Sequence, residues 1–161
     1  MRIDRYISAS RVVDLSSQDL GAAYSELLGT FNNLLPSPQS RKKVLGELIS
    51  REKAITSYLG EGVALPHARV KMKRPFALAI GRCPGGLSFN GQSSYDEIRY
   101  VFLLLASENA KNYLSFLATL ARTFQDKSVM DHLWMARDLS DFKNVVKHAF
   151  AGTDERPARR R

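Results

Sequence analysis

The sequence predicts an α/β fold in which helices flank a mixed β-sheet on both faces. Two observations carry this reading. Apolar residues recur at helical spacing at both ends of the chain, over 20–31 and 44–49 and again beyond residue 113. Between these stretches lie two short, nearly continuous apolar runs, Phe76–Arg82 and Tyr100–Ala106, of the kind found in strands buried on both faces.

The elements follow in order. Residues 2–14 mix charged and apolar side chains and end in Val12-Val13-Asp14, an entry segment with room for one short strand. Ser16-Ser17-Gln18-Asp19 has the form of a capping box, and Leu20, Tyr24, Leu27, Leu28 and Phe31 follow on one helical face, up to Asn32-Asn33. Ser37-Pro38 is a second start, with serine as N-cap and proline in the first turn. It opens a helix with Val44, Leu45, Leu48 and Ile49 on its apolar face and Arg51-Glu52 at its end. Val63–Leu65 reads as a short strand, closed by Pro66, which keeps Leu65 extended.

Residues 69–74, Arg-Val-Lys-Met-Lys-Arg, read as a basic connection to the Phe76–Arg82 strand. Cys83-Pro84-Gly85-Gly86 is a loop, Leu87-Ser88-Phe89 a short edge strand and 90–94 a turn. Tyr100–Ala106 is the central strand. In the next helix Tyr113, Leu117, Leu120 and Phe124 form the stripe, with Leu114, Ala118 and Ala121 beside it. Asp126 caps a helix carrying Val129, Met130, Leu133 and Trp134. Ser140 caps a last one carrying Phe142, Val145, Val146, Ala149 and Phe150, which Gly152 closes.

The 161 residues suit one domain over 1–150, followed by a basic, disordered tail over 151–161. The net charge of +8 owes four units to Arg156, Arg159, Arg160 and Arg161; without them about +4 remains, ordinary for a small domain. Cys83 is the only cysteine, which rules out an internal disulfide. No apolar run nears the roughly 20 residues of a membrane helix, and the N-terminus lacks a signal-peptide core. A cytoplasmic protein without membrane insertion is the expectation.

Chemistry concentrates in Arg51–Arg69, which ends in Leu65-Pro66-His67-Ala68-Arg69 after a turn holding Gly60 and Gly62. A neutral imidazole is a competent nucleophile toward phosphorus, and most of an unperturbed ring is neutral at cytoplasmic pH. Its other nitrogen needs an acceptor to fix the tautomer. Phosphoryl transfer further needs donors around the phosphoryl oxygens, which arginine supplies through charge-assisted hydrogen bonds. Arg51 and Arg69 are the candidates, and amides of the glycine turn could add more. The plainer alternative is a strand-end histidine with a structural hydrogen bond.

Residues 44–69, with Arg51-Glu52 after a helix, a glycine turn and then an apolar-Pro-His segment, resemble the fructose/mannitol-type (type 2) enzyme IIA domain of the bacterial phosphotransferase system. The likeness extends over about 5–150, with Val101–Leu105 matching the family's central strand and Glu108–Leu120 its following helix. It implies a mixed sheet flanked by helices. It also implies a phosphohistidine carrier that takes its phosphoryl group from HPr or a nitrogen-branch relative, with His67 as acceptor and Arg51 as the stabilising arginine. Arg69 is a possible auxiliary. A chain without visible transporter or IIB segments is more like the regulatory, nitrogen-type members, acting on a regulatory target protein or a IIB domain. No cofactor or metal is needed, since arginine and backbone donors supply the electrostatics.

One position departs from the family pattern. Where its members usually carry a second histidine, this chain has Tyr113. A tyrosine hydroxyl can donate a hydrogen bond to phosphate but cannot supply an imidazolium charge. Hence the alternative: a degenerate relative that binds and regulates a partner without phosphoryl transfer. The basic run 69–74 and the arginine tail also raise nucleic-acid binding, but no recognition motif accompanies them and no specific nucleic acid is expected. His132 and His148 have no metal-ligand spacing and read as surface residues; Cys83 has no signature of a catalytic thiol.

Overall fold

The computed structural model describes residues 2–31, 34–89 and 97–151. Two 3₁₀ turns, Ile3–Tyr6 and Ala9–Arg11, precede strand β1, Val12–Asp14. Helices α1, Leu20–Gly29, and α2, Pro38–Ala54, come next. Strands β2, Tyr58–Gly60; β3, Val63–Ala64; β4, His67–Val70; β5, Phe76–Arg82; and β6, Tyr100–Ser107, then build the sheet. Helices α3, Tyr113–Phe124; α4, Lys127–Met135; and α5, Leu139–Phe150, complete the fold.

The sheet is mixed and ordered β1-β5-β6-β3-β2, with β4 also pairing β6. Strands β3 and β4 both run parallel to β6 along the same edge, β3 opposite Tyr100–Val101 and β4 opposite Leu104–Ser107. β5 runs antiparallel to β6, and β1 parallel to β5. Every residue of β6 is buried, as its apolar run requires, because helices cover both faces. One face packs α1 and α2 over Val101, Leu103 and Leu105. The other packs α3, α4 and α5 over Phe102, Leu104 and Ala106. The alternation of β6 side chains between two cores is the period-2 geometry of a strand. Among the described residues no helix is long and apolar enough to cross a membrane.

Both strong strands, the first helical face and the Ser37-Pro38 start are as expected; Ser37 Oγ accepts from the Ser40 amide at 3.2 Å. Several local expectations are corrected. His67–Val70, read as the end of one segment and the start of a basic connection, is a strand of its own. Its alternation of half-buried His67, buried Ala68, exposed Arg69 and buried Val70 has period 2, and Pro66 merely separates it from β3. Leu87-Ser88-Phe89 forms no strand of the sheet; Ser88 makes an isolated bridge with Asp19. The cap of α1 is Asp19, which accepts from the Ala22 amide, while Ser16 and Ser17 donate amides and hydroxyls to Glu26. The expectations on 32–33, 90–94, Gly152 and, apart from Ala151, the tail fall outside the described residues.

The last helix starts two residues earlier than expected. Asp138, not Ser140, is its N-cap and accepts from the Asp141 amide at 2.9 Å. Replacing Asp138 by alanine is expected to cost about 1 kcal/mol, the usual worth of such a cap, and Ser140→Ala to be close to neutral. Urea midpoints of the two variants check this; equal losses would contradict it.

The buried face of α3 is also rotated relative to the expected stripe. Phe116, Leu120, Thr123 and Phe124 are buried, Tyr113 and Leu117 are only partly covered, and Leu114 is 77% exposed. The phase of an amphipathic helix is ambiguous when apolar residues occupy adjacent faces, as Tyr113, Leu114, Phe116 and Leu117 do here.

Candidate functional site

His67 opens β4, immediately after the Leu65-Pro66 step that separates it from β3. Proline fixes that step: it has no N–H to give the ladder, and its carbonyl accepts from Leu104 of the central strand at 2.9 Å. The His67 ring folds back on this step, with Nδ1 2.9 Å from the Leu65 carbonyl oxygen. A carbonyl only accepts, so the proton sits on Nδ1 and the lone pair on Nε2. The acceptor required on chemical grounds is therefore Leu65.

Arg51 lies in the last turn of α2, where the last helical face turns toward the sheet edge. Its Nη1 donates to the His67 carbonyl at 3.2 Å, joining residues sixteen apart in sequence. The guanidinium is exposed, so it can exchange that bond for an incoming anion. Arg51 and His67 share the wall of a cleft of about 280 Å³ with Tyr24, Glu52, Ile55 and Ser57.

Glu52 is the residue that sequence reasoning underused. It is 4% exposed. Its carboxylate accepts from Tyr24 Oη at 2.6 Å, from Ser57 Oγ at 2.6 Å and from the Ser57 amide at 3.1 Å. The signal was present: Val44 and Leu48 are the buried positions of α2, and Glu52 is the next residue in that i, i+4 row. Burial pushes its carboxyl upward, but hydrogen bonds from Ser57, Tyr24 and Thr56 outweigh this and hold it below the ordinary glutamate range.

A lowered folded-state pKa contributes stability that is fully present above the unfolded value, about 4.3, and lost as pH falls through the folded one. Thermal melts from pH 7 to 3 are thus expected to show wild type more stable than Glu52→Gln at neutral pH, with the gap closing in acid below the glutamate range. A gap that widened on acidification would contradict the sign.

Arg69 and Tyr113 complete the cluster. Arg69 follows His67 by two residues in β4, and its Nη2 donates to the carbonyls of Ser107 at 3.4 Å, Glu108 at 3.1 Å and Ala110 at 3.1 Å. Its guanidinium carbon lies 4.8 Å from the centre of the Tyr113 ring, a cation–π contact. The Tyr113 and His67 rings are 6.2 Å apart, centroid to centroid. Burial raises the Tyr113 hydroxyl above the ordinary tyrosine range, against the pull of the Arg51 and Arg69 charges, so it stays a protonated donor.

All four candidates named from sequence therefore gather at one place. Their bonds differ: Arg51 is bound to His67 itself, whereas Arg69 braces the loop from β6 to α3. The glycine turn lies elsewhere. Gly60, Glu61 and Gly62 all have positive φ and close the β2–β3 hairpin at the Tyr100 end of β6. His67 is opposite Leu104, about 13 Å further along at a strand's rise per residue. The Gly62 amide donates to Tyr58 Oη.

The remaining candidates are unconnected with this cluster. Cys83 is buried, its thiol donates to the Gly86 carbonyl, and burial raises it above the ordinary thiol range. His132 and His148 are exposed on α4 and α5, each with Nδ1 bonded to a carbonyl four residues earlier.

The model of the family described as "Phosphoenolpyruvate-dependent sugar phosphotransferase system, EIIA 2" matches residues 29–149. The chain belongs to this family. Among EIIA 2 relatives, it is 32% identical over 131 residues to a nitrogen regulatory protein of Bradyrhizobium diazoefficiens, covering 80% of this chain and 78% of that one. The likeness thus reaches into the nitrogen-regulatory subgroup of the EIIA 2 family.

Solved structures agree in fold. The nitrogen regulatory protein IIA-Ntr of Neisseria meningitidis superposes with a TM-score of 0.71 at 24% identity, over 89% of this chain and 98% of that one. The Escherichia coli enzyme IIA for mannitol, solved in complex with phosphorylated enzyme IIB, superposes with a TM-score of 0.61 at 18% identity, over 88% and 97%.

Proposed function

We propose that this protein is a phosphohistidine carrier of the nitrogen-regulatory kind, which accepts a phosphoryl group on His67 Nε2 from a phosphorylated HPr-type protein. The observation that carries the reading is the His67 ring held by Nδ1 to the Leu65 carbonyl, with Arg51 bonded to the same residue. The regulatory assignment rests on the 32% identity to the Bradyrhizobium nitrogen regulatory protein.

The transfer balances without an added proton. The Nε2 lone pair attacks phosphorus in line, and a new N–P bond forms as the donor's N–P bond breaks. The electron pair of the broken bond returns to the donor ring, which leaves as neutral imidazole. The His67 ring, now cationic, keeps its Nδ1 proton, and the Leu65 carbonyl stabilises that positive charge. Arg51 releases the His67 carbonyl and pairs with the phosphoryl oxygens. Tyr113 donates its hydroxyl proton toward the same oxygens. Onward transfer to a IIB-type domain or regulatory target is the reverse step with a new acceptor.

Mass spectrometry after incubation with phosphorylated donor tests this. Wild type is expected to gain one acid-labile phosphoryl group, and His67→Ala none. Adduct formation undiminished in His67→Ala would sink the proposal.

Tyr113 favours a second reading, a binding module in which His67 no longer relays the group, because tyrosine brings no charge and Arg69 is committed to three carbonyls. The same experiment separates the two: a module of this kind acquires no adduct, and its partner binding is indifferent to His67.

A further inference from the structure

A buried carboxylate is connected to the His67 ring through an unbroken series of hydrogen bonds. Glu52 accepts from the amide and hydroxyl of Ser57. The Ser57 carbonyl in turn accepts from the Leu65 amide at 2.9 Å. The Leu65 carbonyl accepts from His67 Nδ1, also at 2.9 Å. The next peptide is held from the other side, since the Pro66 carbonyl accepts from Leu104 of the central strand. Leu65, whose carbonyl sets the tautomer of His67, is thus located by Ser57 on one flank and, through Pro66, by β6 on the other. Ser57 itself lies just past the end of α2 and is anchored by the carboxylate.

We propose that Glu52 is a positioning residue for His67: through Ser57 and Leu65 it holds the imidazole as the Nδ1–H tautomer and aims Nε2. This deepens the phosphohistidine reading and rests on it for its consequence in transfer, though not for the tautomer itself. A charged group is needed there because several donors converge on it. Tyr24 Oη and Ser57 Oγ take one oxygen, and the Ser57 amide reaches both. Glutamine has the same shape, and the Tyr24 and Ser57 hydroxyls can turn to accept from its NH₂, but the Ser57 amide, which reaches both carboxylate oxygens, then keeps only one acceptor and faces a donor in place of the other. Ser57 is held less firmly, and its carbonyl with it. Arg51 is the adjacent residue on the same helical turn, so the anchor that locates Ser57 also locates the end of α2 from which Arg51 reaches His67.

The test is a long-range ¹H–¹⁵N spectrum of the histidine rings in the unphosphorylated full chain at about pH 8, above the ordinary imidazole range. Wild type is expected to show His67 as a single Nδ1–H tautomer. Glu52→Gln is expected to show both neutral tautomers of His67, while His132 and His148, whose Nδ1 atoms bond to carbonyls on α4 and α5, stay as in wild type. Phosphoryl uptake by Glu52→Gln is expected to slow by roughly tenfold, as for other changes behind a functional group, with KM for the phosphorylated donor unchanged.

A folded Glu52→Gln whose His67 resonances match wild type overturns the proposal. If Glu52→Gln does not fold, Ser57→Ala decides: it keeps the amide bond, loses the hydroxyl, and must shift part of the His67 population or the proposal fails. The spectrum needs no donor. A protein with the expected tautomer that never takes up phosphate would therefore refute the carrier function alone.

Discussion

Replacing Arg51 by alanine is expected to slow phosphoryl uptake at His67 by about 10²–10³-fold, the usual cost of removing one donor aimed at charge that develops in a transition state. Stability should hardly change, because the guanidinium is exposed and, among the described residues, gives an Nη1 proton to the His67 carbonyl at 3.2 Å. Arg51→Lys should fall between the two. It keeps the charge but loses the planar fork that grips two oxygens at once. Single-turnover kinetics with phosphorylated donor measure the effect. A rate within threefold of wild type, on the order of 0.6 kcal/mol, would mean that Arg51 only braces the β4 backbone and that another group faces the phosphoryl oxygens.

The largest effect on stability is expected at Phe116. It is fully buried where α3 meets the sheet, stacked on Phe76 with centroids 4.2 Å apart and edge-on to Tyr6 at 5.5 Å. Phe116→Ala removes a ring that three elements share, and about 3–5 kcal/mol of stability should go with it. Leu114, two residues earlier and 77% exposed, should tolerate alanine within about 0.5 kcal/mol. Calorimetric melting of both variants decides the matter. Comparable losses would restore the helix phase expected from the sequence, with Leu114 flanking an inward stripe.

That pair of residues also marks where sequence reading stopped. Tyr113, Leu114, Phe116 and Leu117 offer more than one apolar face, and only the position of Phe76 and Tyr6 selects Phe116. Where a run had one interpretation it was legible: Tyr100–Ala106 is buried at every position, and no charged side chain interrupts it. The same distinction separates the caps. Asp126 was read correctly, whereas Ser140 was preferred to Asp138 although both residues suit an N-cap, and the first turn of α5 chose the earlier one.

The candidate site divides in a similar way. His67, Arg51, Arg69 and Tyr113 were all named from residue type, spacing and resemblance, and they do lie together. The hydrogen-bond partners of His67, Arg51 and Arg69 were not legible, because each is a backbone carbonyl and every residue has one. That Leu65 accepts from His67, that Arg69 binds carbonyls 38 to 41 residues away, and that β4 pairs the far half of β6 follow from chain path alone.

By itself, then, the sequence determined the layers, the central strands, the helix starts with a single candidate, and the residues able to handle a phosphoryl group. Local patterns suffice for these, since burial and capping act over a few neighbouring positions. Only the tertiary structure decided the phase of α3, the separation of the glycine turn from His67, and the link from Glu52 through Ser57 and Leu65 to the imidazole. The first depends on which distant side chains pack, the others on which distant backbone groups meet, and hydrogen bonding to a carbonyl leaves no mark in the identity of the residue that carries it.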